Sequence, residues 1–302
     1  MNKNAIVTSI QNKRDLAEFS FLWKTWLLWD INNAWDLLVF VHPNIEADAK
    51  SQFTGDGLMI IKQKPLEEQD DFWGLADYSK ANYFGMFTED NVDLLSSYDF
   101  LFKTGCGTFL TQNFAAFTPW KDKFYTGITT HYSIAGADQL SKVRHLVRTV
   151  AKQINLPYRD FGHVSDSILG SSTAIINACK LQLTLTKYLL NNGWPQGDKG
   201  NPLGWYKERA DQYALDISIN SMIQTLSIHQ GSLDVWCGDN KITSLDLHIR
   251  CAHSDNVECI FNKRKFHDGE LPKLKYTKIP VTTGEYCFLI ATEDLEYLKS
   301  LV

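Results

Sequence analysis

Three groups of residues combine types and spacings that could carry chemistry. The first is the run Lys103-Thr104-Gly105-Cys106-Gly107-Thr108. It follows the strand-like Phe100–Phe102, and its two glycines allow a ligand or another backbone to come close. In an open α/β sheet the carboxyl ends of strands form the ligand crevice, so this turn is a natural place for a phosphate or a metal. Its cysteine has a second reading, as an accessible nucleophile with His131 as base, provided that the thiol pKa is lowered. The second group is Asp216 and Asn220, four apart on one helix and so facing the same way. They are either a carboxylate and an amide aimed at one ligand or ordinary capping and surface polar residues. The third is the late basic set Arg250, Lys263, Arg264 and Lys265, with His248 on an alternating strand. Cys251, His253 and Cys259 are the weaker constellation, because their spacing lacks a standard zinc ligand pair.

These residues need a frame. Ala5–Ile10, Trp35–Val41 and Gly57–Ile61 read as strands, with helical runs at Glu18–Asp30 and Ile45–Phe53 between them. The alternation predicts a Rossmann-type, mainly parallel sheet flanked by helices, joined by the strand before Gly105. No G-x-G-x-x-G follows the first strand, so nucleotide contacts must come from elsewhere. A strand near Phe124–Ile128 is expected next. Asp138–Leu156 has a consistent apolar helix face closed by Pro157, and Arg144, Arg148 and Lys152 form a ridge on its flank. That ridge is a solvated face or a polyanion contact. Helices are expected at Ser171–Leu190 and Trp205–Leu226, then strands in LDVWCG, SLDLHIRC and EYCFLIAT, and a short helix at Asp294–Leu301.

A chain of 302 residues without repeats or long linkers fits one unit, 1–302, with a binding half at 1–130 and a completing half at 131–302. Apolar residues at 44% and charged residues at 22% are those of a globular protein. Nine Trp, 12 Tyr and 17 Phe supply rings that fill cores and stack on sugars or bases. A formal charge of −5 gives no overall attraction to a polyanion. Six cysteines without a C-x-x-C pair fit a reduced compartment. With no long apolar run at MNKNAIVTSI or elsewhere, the expectation is a soluble, cytoplasmic protein with no membrane partner.

The segment K-T-G-C-G-T-F-L-T-x-x-F, Lys103 to Phe114, resembles the K-T-D-x-D-x-F-L-T-x-x-F signature of an eukaryotic and viral group of GT-A type glycosyltransferases. The two aspartates of that signature are Gly105 and Gly107 here. Further partial matches follow in order: Gly170-Ser171-Ser172-Thr173; Gly204-Trp205-Tyr206 before Tyr213, Ala214, Asp216, Ile217 and Asn220; and Leu247-His248-Ile249-Arg250 with His253 and Lys263. The resemblance spans about Ala5 to Ile290.

It implies a GT-A-like α/β fold with an elaborated C-terminal half, moving a sugar from a nucleotide diphosphate sugar to an acceptor. Donor contacts would come from Thr8, Thr104, Gly105, Cys106, Gly107, His248, Arg250 and Lys263, and catalysis from Asp216 and Asn220. The family's divalent cation, Mn or Mg, would lose its aspartate anchors; His248 is the remaining metal or diphosphate contact, set against a satisfied core histidine. Arg250 and Lys263 could hold the diphosphate without a metal. The acceptor could be a glycan, viral included, a small molecule or a hydroxymethylated DNA base, the last needing Arg144, Arg148 and Lys152 to converge with Lys263, Arg264 and Lys265. The alternative is a catalytically silent module that binds sugar nucleotide or glycan.

Overall fold

The computed structural model describes residues 3–66, 78, 80–127, 137–161, 164–193, 206–222, 227–251 and 259–302. Strand β1 (Asn4–Ile10) leads into helix α1 (Lys13–Leu28), whose N-cap Asn12 accepts a hydrogen bond from the Asp15 amide. Strand β2 (Trp35–Val41) follows and is buried at every position, as a strand covered on both faces must be. Then come α2 (Glu46–Gln52), β3 (Leu58–Lys62), α3 (Glu89–Ser96) and β4 (Phe100–Lys103). Beyond the Gly105 turn lie β5 (Thr108–Leu110), α4 (Gln112–Ala115) and β6 (Lys123–Thr126). The long α5 (Ala137–Gln153), β7 (Ile168–Ser171), α6 (Ser172–Asn192), α7 (Ala210–Met222) and β8 (Ser227–Gln230) complete the main layers. The C-terminal lobe adds β9 (Val235–Trp236), β10 (His248–Arg250), α8 (Lys263–His267), α9 (Thr283–Thr292) and α10 (Leu295–Ser300).

Seven strands form one sheet in the order β3-β2-β1-β4-β7-β6-β8, and a small second sheet runs β5-β10-β9. β3, β2, β1 and β4 are parallel to one another. The sheet as a whole is mixed: β7 lies antiparallel to both β4 and β6. The strands expected to run parallel do so, and the antiparallel β7 matters for the site. Because Lys103 pairs with Ile168, the residues that precede β7 arrive at the carboxyl end of β4.

Successive residues of β1 serve opposite faces of the sheet. Val7 packs with Leu38, Leu101 and α6 residues Ile175 and Leu183, while Ile6 packs with Leu37, Phe102 and α1 residues Phe19, Leu22 and Trp26. Phe21, on the outer side of α1, joins Phe109, Ile249 and the residues of α9 in a third core. Lys24 of α1 caps that lobe, donating to the Ile290 and Glu293 carbonyls at 2.8 and 2.7 Å. Across residue 130, β6 pairs with β7 and β8 among the described residues.

EYCFLIAT is helix, not strand. Tyr286 to Ala291 are all buried, so the stretch shows no apolar stripe by which to read a period. Thr282, which donates to Glu285 at 2.7 Å, marks its start. Ile128, Trp205 and Leu226, at the edges of other predicted elements, lie outside the described residues.

Candidate functional site

The chain passes from β1 to β2 and outward to β3, then returns to β4 on the other side of β1. The carboxyl ends of β1 and β4 therefore diverge at a topological switch point, where α/β sheets open a crevice. A cleft of about 580 Å³ lies there, lined from β1 and α1 by Ser9, Asn12, Asp15 and Glu18, and from the β4 turn by Lys103 to Thr108. Asp166 and Asp211 reach it from the β7 and α7 side, Arg250 and Lys263 from the C-terminal lobe, and Lys80, Tyr83, Met86 and Gln212 complete it.

The β4 turn is held from below. Thr104 Oγ1 is 2.9 Å from His248 Nε2 and 3.0 Å from Ser167 Oγ. His248 Nδ1 is 3.1 Å from the Asp234 carboxylate. Asp234 also accepts from the Ser167 amide at 3.0 Å and its hydroxyl at 2.7 Å, and from Ser165. Burial acts to raise the Asp234 pKa, but the hydrogen bond and charge of His248, with Arg250, outweigh it and hold the carboxyl well below the usual range. His248 is fully buried and absent from the cleft lining. Its expected contact with metal or diphosphate is corrected: it positions Thr104, which does line the cleft.

On one wall Lys263 Nζ lies 2.8 Å from Glu18 Oε2, with both side chains about 95% buried. His267 Nε2 reaches Glu18 Oε1 at 2.9 Å, and Arg14 stands 3.6 Å away. This pair occupies the space beside Gly107. A Cβ there would fall on Glu18 Oε2 and Lys263 Nζ, inside van der Waals contact, and would meet Glu18 Cβ at 3.0 Å. Gly105 is different, since a Cβ there would meet only Thr108 Cγ2, at 3.9 Å.

Across the cleft, Arg250 pairs with Asp166 at 2.7 Å, and Lys103 donates to the Asp166 carbonyl at 3.1 Å. Asp211 accepts from Tyr78 and faces Lys80 at 3.8 Å. Burial raises the Asp211 pKa above the usual carboxylate range, against the pull of Lys80. Asp15, held by the Gln11 amide at 2.9 Å and Tyr83 at 2.7 Å, is likewise raised by burial. Perturbed carboxylates in a cleft are the usual signature of acid–base chemistry. Four cations, Lys80, Lys103, Arg250 and Lys263, thus face a common space.

A divalent cation finds no fitting donor set here. Gly105 and Gly107 carry no side-chain oxygen, the space beside Gly107 is filled by an ammonium and its partner, and among the described residues the cleft carboxylates do not converge as three ligands. The Cys106 thiol is buried, and burial, then Asp15 and Glu18, push its pKa well up, against a nucleophilic role. His131 and His253 lie outside the described residues.

Of the residues expected at the site, Thr104, Gly105, Cys106, Gly107, Arg250 and Lys263 line one cleft. Thr8 is not: it is fully buried in β1, one residue before the cleft-lining Ser9. Asp216 and Asn220 are also fully buried and absent from the cleft lining. Asp216 accepts from Tyr158 at 2.7 Å and Asn220 at 2.8 Å, and Asn220 accepts from the Phe161 amide at 2.9 Å, so the pair braces the segment after α5. Asp211 of the same helix takes the cleft position. Arg144 and Arg148 both pair with Asp160, and neither they nor Lys152 line the cleft. Asp15, Glu18, Lys80, Asp166 and Asp211 were not singled out in the sequence; Asp15 and Glu18, on the helix after the first strand, carried the one available signal, as carboxylates at a helix start beside a crevice.

Fold and site define an α/β protein with a mixed central sheet flanked by helices and a charged switch-point cleft. The chain belongs to the family described as a domain of unknown function (DUF7164), which matches residues 2–285. No curated protein matches it.

Proposed function

We propose that this protein is a GT-A-like glycosyltransferase that binds a nucleotide diphosphate sugar in the switch-point cleft without a divalent cation. The observation that carries the reading is the placement of Lys263 and Glu18 beside Gly107. In the resembling signature the second aspartate would extend into that space; here an ammonium stands there instead. Lys263, Arg250, Lys103 and Lys80 line the cleft, and a diphosphate would take over donors now shared with Glu18, Asp166 and Asp211, with Arg250 adding a planar fork.

In this reading the bond from the anomeric carbon to the diphosphate oxygen breaks, and the charge that develops on the leaving nucleoside diphosphate is stabilised by Lys263 and Arg250. The acceptor hydroxyl forms the new bond and gives its proton to Asp211, whose raised pKa suits a general base. Asp166, which pairs with Arg250, orients that guanidinium.

The acceptor is proposed as a glycan or small molecule in the cytoplasm. A modified DNA base is less well supported, because Arg144, Arg148 and Lys152 do not line the cleft. No helix among the described residues is long and apolar enough to cross a membrane. The test is calorimetric titration with a panel of nucleotide diphosphate sugars, in chelator and in manganese, followed by product analysis with candidate acceptors. Donor binding that is equal in both conditions, with turnover, supports the reading. Manganese-dependent binding, or no binding of any donor, overturns it. Binding without hydrolysis or transfer favours the silent module, which the absent aspartates also suggest.

A further inference from the structure

Three of the six cysteines converge on one point in the C-terminal lobe and a fourth touches one of them, although they come from four separate segments. Cys237 follows β9, Cys251 follows β10, Cys287 lies within α9, and Cys259 stands on the segment leading to α8. The sulfurs of Cys237, Cys251 and Cys287 all lie within 4.8 Å of one another, and all three residues are buried. Cys259 Sγ is 3.1 Å from Cys237 Sγ. Each of the four is a free thiol.

Four thiolates around zinc, with Zn–S bonds of about 2.3 Å, place their sulfurs about 3.8 Å apart at the corners of a tetrahedron. Three of the sulfurs already lie within 4.8 Å of one another, and Cys259, in contact with Cys237, would swing toward Cys251 and Cys287 to close the shell. The surrounding backbone leaves room for it. Gly284 lies one helical turn before Cys287, and a Cβ there would meet Cys259 Sγ at 3.0 Å and the Gly238 carbonyl at 2.9 Å. Without a side chain at 284, Cys259 can approach the other three.

Thiols also pack as small apolar groups, and these sit in the core formed by Phe21, Phe109, Ile249 and Phe288. That role asks for apolar volume, which any aliphatic side chain meets. It gives no reason for three sulfurs from three segments to meet at one place with a fourth beside them.

We propose that Cys237, Cys251, Cys259 and Cys287 form a structural zinc site. Binding Zn²⁺ replaces four S–H bonds by four Zn–S bonds and releases four protons to solvent, which leaves a closed site with no position for substrate. The ion would tie β9, β10 and α9 to the approach to α8. Arg250 immediately precedes Cys251, and Lys263 follows Cys259 on that approach, so the site would fix the backbone of two cleft cations.

The experiment is elemental analysis of the whole chain, purified under reducing conditions without chelator and equilibrated with equimolar zinc. About one tightly held zinc per chain is expected, and cobalt in its place should show the absorption of a tetrahedral thiolate site. Cys237→Ser and Cys287→Ser should lower zinc occupancy to less than about a tenth, whereas Cys179→Ser should leave it unchanged. No retained zinc in the unmodified chain overturns the proposal, as do iron with labile sulfide in place of zinc, or a Cys237–Cys259 disulfide trapped by alkylation of the purified protein. Elemental analysis of the unmodified chain decides the matter even where a serine variant fails to fold. Zinc content is read without any donor sugar, so its failure is separate from that of the glycosyltransferase reading.

Discussion

Lys263 Nζ and Glu18 Oε2 lie 2.8 Å apart in the space that a side chain at position 107 would need, while position 105 opens into the cleft. The two glycines of the β4 turn are therefore unequal. Gly105→Asp should fold with a melting temperature close to that of the parent. Gly107→Asp should melt several degrees lower, as it must displace a buried ion pair, and Glu18→Ala in the same chain should recover part of that loss by vacating the space. Thermal melts of the three variants decide this; equal melting of the single variants would show that the pair yields freely.

Removing Lys263 takes from Glu18 the buried member of its pair and leaves it the partly exposed His267 and Arg14. Lys263→Met should cost about 3–5 kcal/mol, and Lys263→Met combined with Glu18→Leu should regain much of it. Donor affinity should not return with stability, since the cation that faces the diphosphate is missing in both. Denaturant unfolding and calorimetry on the same preparations separate the two effects.

Asp211→Asn should lower kcat by about a hundredfold or more while changing donor Kd little, as expected for a base that acts in the transition state. The parent rate should fall as pH drops through the raised Asp211 pKa, and the variant should lack that limb. The stability effect has the opposite sense. A carboxyl whose folded pKa is raised loses stabilisation as pH climbs from its unfolded value through its folded one, so Asp211→Asn should melt higher than the parent at neutral pH. Asp216→Asn is the control: lost stability, without a selective loss of kcat.

Asp234 behaves in the reverse sense. Its folded pKa is depressed, so its contribution is present above the unfolded carboxylate range and disappears as pH falls through the folded value. Asp234→Asn should destabilise the protein by about 1–3 kcal/mol at neutral pH, because it replaces an acceptor shared by Ser165 and Ser167, and should flatten the acid side of the stability profile. Unfolding measured from pH 7 downward tests both parts.

The central strands were legible because β1, β2 and β4 are continuous apolar runs separated by a striped helix. The Gly-Cys-Gly turn was legible as a crevice because it ends such a run. Other features were hidden for identifiable reasons. α9 is apolar on every side and so has no stripe. Asp211 and Asp216 share a helix but differ by about 140° around its axis, and only packing decides which faces the cleft. Asp166 reaches the site because β7 enters antiparallel, which no local pattern announces. The cysteines are too widely and irregularly spaced to show in the sequence that they meet.

β6 has a further implication, for the order in which the chain is built. The residues from β1 to β4 can pair as they leave the ribosome, each against a strand already made. Lys123–Thr126 cannot. Among the described residues its partners are Ile168–Ser171 and Ser227–Gln230, so a nascent chain must carry this strand unpaired until β7 has been made, a pairing between distant residues of the kind that slows folding.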